Sequence, residues 1–118
     1  MSGFITQLKR AWQRHDSLVC VGLDPELERF PQHIAAAPSP IFQFNKAIID
    51  ATHDLVCAFK PQFAHYAACE AEDQLERTIE YIHRTCPDVA VILAPWLVGP
   101  APFVGTVSTL TCVPYICA

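Results

Sequence analysis

The sequence predicts an α/β fold built on a parallel sheet. Three short apolar runs, residues 17–23, 55–59 and 89–93, have too few polar positions to alternate, which suits strands covered on both faces. Segments of helical period lie between them, and strands alternating with helices imply a parallel sheet with right-handed crossovers. Of its 118 residues, 52% are hydrophobic and only 17% charged, enough to bury the core such a sheet requires.

The elements follow in order. Phe4, Ile5, Leu8, Ala11 and Trp12 recur at helical spacing, so an amphipathic helix opens the chain and ends at Asp16 and Ser17. The first strand, 17–23, is stopped by Asp24-Pro25, since proline donates nothing to a ladder. Residues 26–39 read as a loop with a short helical turn near 26–30. Ser39-Pro40 reads as an N-cap followed by proline at the first helical position, opening a helix with Ile41, Phe44, Ile48 and Ala51 on its inner face. The second strand, 55–59, is closed by Lys60-Pro61. Residues 70–85 form the third helix, with Leu75, Ile79 and Ile82 inward, and Pro87 precedes the third strand. A doubly wound sheet and an eight-fold barrel both fit this order. No GxGxxG follows the first strand and no GxxxxGK[ST] occurs, which disfavours the dinucleotide and P-loop forms.

Composition excludes several classes. Eight Lys and Arg against twelve Asp and Glu give a net charge of -4, unlike the basic face of a nucleic-acid binder. The first sixteen residues lack a continuous apolar segment, so no secretory signal is expected. Six cysteines form no CxxC pair, and neither they nor the five histidines show metal-ligand spacing. They read as reduced thiols of a cytoplasmic protein, and no metal site is expected. From Val89 to Ala118 there is no charged residue and no histidine. A membrane span needs roughly 20 apolar residues. Pro95, Pro100, Pro102 and Pro114 interrupt this stretch, so none is expected. Residues 103–107 and 110–113 have the makings of short strands.

In either architecture the chemistry gathers at the C-terminal ends of the strands. The first carries Asp24 and the second Lys60. A lone charge there is ordinarily a solvated loop residue. Opposite charges at equivalent points of successive repeats suggest a pair that holds sugar hydroxyls and positions a charged substrate.

Three stretches, Val-Gly-Leu-Asp-Pro-Glu-Leu-Glu-Arg-Phe-Pro (21–31), Phe-Asn-Lys-Ala-Ile-Ile-Asp-Ala-Thr (44–52) and Leu-Val-Cys-Ala-Phe-Lys-Pro-Gln (55–62), closely resemble the bacterial, long-loop branch of the orotidine 5'-phosphate decarboxylases. The resemblance covers roughly residues 1–93. It implies the N-terminal part of a (β/α)8 barrel, with about three of its parallel strands, and leaves 94–118 as an uncharged, Pro-rich divergent end. The family removes CO2 from orotidine monophosphate to give UMP in pyrimidine biosynthesis, without a cofactor, and works as a homodimer. By resemblance Asp24 binds the substrate's ribose, and Lys60 joins a charged network beside the ribose and the reaction centre.

After the third strand the family carries Asp-x-Lys-x-x-Asp, whose Lys protonates the carbanion-like carbon as CO2 leaves. Here those positions fall on Ala94, Trp96 and Gly99, none of which ionises. A complete barrel takes about 250 residues. The sequence therefore reads as a truncated or frameshifted form without decarboxylase activity, against the alternative of a natural short homologue with an apolar cap. A three-strand piece would leave a sheet edge unpaired and prone to self-association. Two other functions remain open: a non-catalytic half-barrel binding a partner, and a related phosphate-sugar lyase such as a hexulose-phosphate synthase.

Overall fold

The computed structural model describes residues 3–93 and 115–117. Strands β1 (Cys20–Leu23), β2 (Ala58–Pro61), β3 (Ala90–Val91) and β4 (Tyr115–Cys117) form one sheet in the order β3-β2-β1-β4, and every neighbouring pair is parallel. Helices α1 (Phe4–His15), α2 (Gln32–Ala35), α3 (Pro40–Thr52), α4 (Phe63–Ala68) and α5 (Glu72–Thr85) surround it, with a 3-10 turn at Leu27–Arg29. The expected α/β order is present. Among the described residues the sheet is open rather than a closed barrel. β4, which the sequence reading did not anticipate, pairs along β1, so the edge strands of the described sheet are β3 and β4. The strands expected at 103–107 and 110–113 lie outside the described residues.

All four residues of β1 are buried, as a strand covered on both faces requires. One face carries Val21, Leu23 and Phe59 against Ile49 of α3 and Ile82 of α5. The other carries Cys20, Ala58 and Ala90 against Leu8 and Ala11 of α1. The small side chains of that second face let α1 approach closely. Its Gln7 reaches the Pro87 and Val89 carbonyls, and Arg14 pairs with Asp88. Asp16 ends α1 in the left-handed conformation (φ 47°), which aspartate tolerates better than most residues. Ile5, expected on the inner face, is 52% exposed.

Both first strands start later than their apolar runs. The Ser17 hydroxyl accepts from the Val19 amide and donates to the Leu55 carbonyl, holding residues 17–19 in a turn. Leu55 is likewise in a turn and exposed. Lys60 and Pro61 therefore belong to β2 instead of closing it. Proline is tolerated there because β3 pairs only with Ala58 and Phe59, leaving Pro61 at the end of the ladder.

The α3 face is rotated from the one expected. Ile41, Asn45 and Ile49 are buried, whereas Phe44 and Ile48 are half-buried and Ala51 is exposed. An asparagine occupies the centre of the buried stripe because it has partners there. Its Nδ2 donates to Tyr66 Oη at 2.9 Å and to Thr78 Oγ1 at 3.1 Å. Tyr66 Oη donates to the Leu23 carbonyl at 2.7 Å, and Thr78 Oγ1 to the Gln74 carbonyl at 2.7 Å. Thr78 takes an inward position that the sequence reading gave to Ile79.

Pro40 opens α3 as expected, but Ser39 does not cap it with its side chain. The first-turn amide of Phe42 is instead satisfied by Gln74 Oε1 of α5 at 3.0 Å, while Ser39 Oγ accepts from Arg77. The segment expected as one helix from residue 70 begins at Glu72, because Glu70 is left-handed (φ 51°) and separates α5 from α4.

A Tyr66→Phe variant leaves the buried Leu23 carbonyl without its donor. It is expected to lose about 1–3 kcal/mol of unfolding free energy in a urea titration. Tyr81→Phe, which removes exposed contacts to Asp50 and Thr85, is expected to change it by less than about 1 kcal/mol.

Candidate functional site

The chain leaves β1 at Asp24. Leu23 before it is buried and its carbonyl is held by Tyr66, and Pro25 after it is buried. The aspartate therefore projects from a fixed backbone at the C-terminal end of the sheet. Lys60 stands on the adjacent parallel strand, in register with Gly22. Strand alternation gives Lys60 the same face as Ala58, the side on which α1 packs. α1 fills the opposite end of that face, so the end carrying Lys60 is the one left for chemistry.

Both charges reach the same interior. The Cys20 thiol is pushed up from 9.0 to about 11, first by burial, then by Cys57. Lys60 acts to lower it and Asp24 to raise it. Asp24 also helps to raise the Tyr66 phenol, whose main cause is again burial. Asp24 thus acts electrostatically on both the interior thiol and the Tyr66 phenol.

A cleft of about 440 Å³ opens beside Asp24, lined by Gly22, Asp24, Glu26, Arg29, Phe30, Phe44 and His65. Phe30 and Phe44 stack with ring centroids 4.4 Å apart and planes 15° from parallel, giving the cleft an aromatic wall. Arg29 and Glu26 pair at 2.9 Å on the exposed rim. A carboxylate beside an aromatic wall, with an ammonium on the neighbouring strand, is suited to a polyhydroxylated ring: hydroxyls donate to the carboxylate and the apolar face lies on the aromatics.

Lys60 lies on the neighbouring strand and does not line this cleft. Phe30, Phe44, Arg29 and His65 were not singled out from the sequence. Phe44 was assigned to the buried helix face, and the only available signal was its spacing from the inner stripe of α3. Ala94, Trp96 and Gly99 lie outside the described residues. Among the described residues no group of three or more His, Cys, Asp or Glu side chains is arranged to hold a metal ion. None of the described helices is long and apolar enough to cross a membrane.

The chain is similar to proteins named orotidine 5'-phosphate decarboxylase. The Azoarcus sp. (strain BH72) protein is 59% identical over 90 residues, that of Leptothrix cholodnii 61% over 90, and that of Cellvibrio japonicus 55% over 92. These matches cover 76% of this chain and 32–34% of the relatives, so the chain spans about a third of the length of the curated relatives it matches. No family model matches. Among solved structures, a protein of Toxoplasma gondii assigned as an orotidine-monophosphate decarboxylase superposes with a TM-score of 0.66 at 30% identity, over 78% of this chain and 30% of its own. The resemblance read from three short stretches is therefore shown, for part of the family's length.

The thiols offer a check on this interior. Among the described cysteines, Cys69 is exposed and Cys20, Cys57 and Cys86 are buried. At pH 8, peptide mapping after iodoacetamide should find Cys69 labelled first, and the other three only under denaturant. Burial raises Cys20 and Cys86 from 9.0 to about 11, so the folded state holds these protons longer than the unfolded state. Their contribution is complete below about pH 9 and is lost as pH rises toward 11. The urea midpoint should accordingly fall between pH 8 and 10.5.

Proposed function

We propose that residues 1–93 are the N-terminal part of an orotidine 5'-phosphate decarboxylase barrel and carry the ribose side of its site, while 94–118 depart from the family. The observation that supports this best is the placement of Asp24 and Lys60 at the same end of adjacent parallel strands, Lys60 in register with Gly22. In the proposed role Asp24 accepts hydrogen bonds from the ribose hydroxyls of orotidine monophosphate or UMP. Lys60 supplies a fixed positive charge beside them. Such preorganised charge stabilises a transition state without reorganising as the reaction proceeds. The proposed reaction needs no cofactor. Reduced, buried thiols and a nucleotide substrate support a cytoplasmic location.

The same reading predicts that the chain as it stands does not turn over. The positions of the family's proton donor and its two carboxylates are Trp96, Ala94 and Gly99. An indole N–H is not an acid near neutral pH. General acid catalysis alone is worth about 10²–10⁴-fold. Gly99 also stands where the family's last carboxylate reaches into the neighbouring subunit, so a homodimer of the family's kind would lack that contact. A frameshift or rearrangement near residue 94 accounts for the loss of charge and of family pattern at one point.

Two measurements test this reading. Purified chain incubated with orotidine monophosphate is expected to give no loss of substrate absorbance above the uncatalysed rate; measurable turnover would falsify the inactive assignment. The nucleotide sequence over codons 90–130 is expected to encode Asp-x-Lys-x-x-Asp in another frame. Its absence from all three frames would favour a natural short homologue.

A further inference from the structure

Outside the cleft, the feature with most chemical definition is a groove of about 290 Å³ on the flank of α5. Its floor is apolar, with Phe63, Ile79 and Leu93, and Leu93 is 47% exposed. Its rim is Glu72, Glu76 and Glu80, spaced four residues apart along one stripe of the helix. All three glutamates are exposed, and among the described residues none of them is in an ion pair. One of its lining residues, Leu93, follows directly from β3, an edge strand of the described sheet. It asks for a short apolar anchor flanked by positive charge.

The chain's own remaining segment does not meet that requirement, because residues 89–118 contain no Lys, Arg or His. α1 does. It carries Lys9, Arg10 and Arg14 and no acidic residue. Its outward stripe places Ile5, 52% exposed, one turn before the exposed Lys9. Within one copy α1 is fixed against the sheet by Leu8, Ala11 and the Arg14–Asp88 pair, so this outward stripe is available only to another molecule.

We propose that α1 of a second copy seats in the α5 groove, Ile5 entering beside Ile79 and Leu93 with Lys9 facing the glutamate stripe. The two surfaces are different, so each bound copy still presents a free groove or a free α1. The association is head-to-tail and open-ended rather than a closed dimer. A single helix stripe is a small interface, so the affinity is weak, with Kd on the order of tens of micromolar. It is also salt-sensitive, because its charges are exposed.

Sedimentation velocity of the full chain tests this, with Lys9→Glu and Glu76→Lys each alone and mixed in equal amounts. Circular dichroism confirms that both variants keep their helices. The wild type is expected to grow beyond its 13.1 kDa monomer with concentration, without a plateau at dimer. Raising salt from about 0.05 to about 0.5 M should weaken association about tenfold. Each variant alone should remain monomeric. The mixture should recover concentration-dependent growth, since Lys9 of one partner meets Glu76 of the other and the two reversed surfaces again carry opposite charge. A wild type that stays monomeric, association that neither charge reversal reduces, or a mixture that fails to pair would overturn the proposal.

Discussion

The fold depends on one buried polar chain that joins three helices to the end of β1. Asn45 is completely buried in α3, and its two amide protons go to Tyr66 of α4 and Thr78 of α5. Each hydroxyl then donates onward, Tyr66 to the Leu23 carbonyl and Thr78 to Gln74. The direction of donation is fixed: both hydroxyl protons are committed elsewhere, so only the amide nitrogen of Asn45 can face them. Asn45 Oδ1 is left buried without a hydrogen-bond partner among the described residues. Burying such an acceptor costs about 1–3 kcal/mol. Offsetting that cost is the placement of Leu23, whose carbonyl is the last backbone group before Asp24.

This network also explains where the sequence was readable and where it was not. Strand and helix order was legible because the runs around Val21, Phe59 and Val89 are apolar on both sides, and no helical period competes within them. The inner face of α3 was misread by one position because the largest apolar residues there, Phe44 and Ile48, are not the deepest. A hydrophobicity pattern cannot anticipate that Asn45 is buried, since its reason for being inside is the pair of hydroxyls that tertiary structure brings to it. Ser39 misled in the same way. Its sequence context is that of a cap, but Gln74, thirty-two residues after Phe42, caps the helix from α5. Asp24 and Lys60 were legible because a charge ending an apolar run needs no tertiary information to stand out. The Phe30–Phe44 wall was not, because one ring comes from a loop and the other from a helix.

The two faces of the sheet have unequal tasks. Val21, Leu23 and Phe59 are large and pack directly against α3 and α5, which supplies most of the apolar contact. On the other face Cys20, Ala58 and Ala90 are small, and α1 closes only the end of the sheet nearest their strands' beginnings. Gly22 and Lys60 continue that face beyond α1. Alternation therefore sorts each strand into residues that hold the helices and residues that form the site. A one-residue slip of β2 against β1 would exchange Phe59 and Lys60, burying the ammonium under α3 and α5. The cost of an unpaired buried charge excludes that register.

In the proposed reading, binding groups and reacting groups separate along this chain. The hydrogen bonds that fix Leu23 beside Asp24, through Tyr66, Asn45 and Thr78, lie before residue 79, and backbone pairing sets Lys60 in register with Gly22 of β1. None of these contacts draws on residues after Leu93. The family's proton donor and its carboxylates belong to the other side of that boundary, where the sequence has no ionisable acid or base of that kind. In the proposed reading, loss of the chemistry leaves the frame of the ribose side in place, because the hydrogen bonds around Leu23 are core interactions, fixed by folding rather than by substrate.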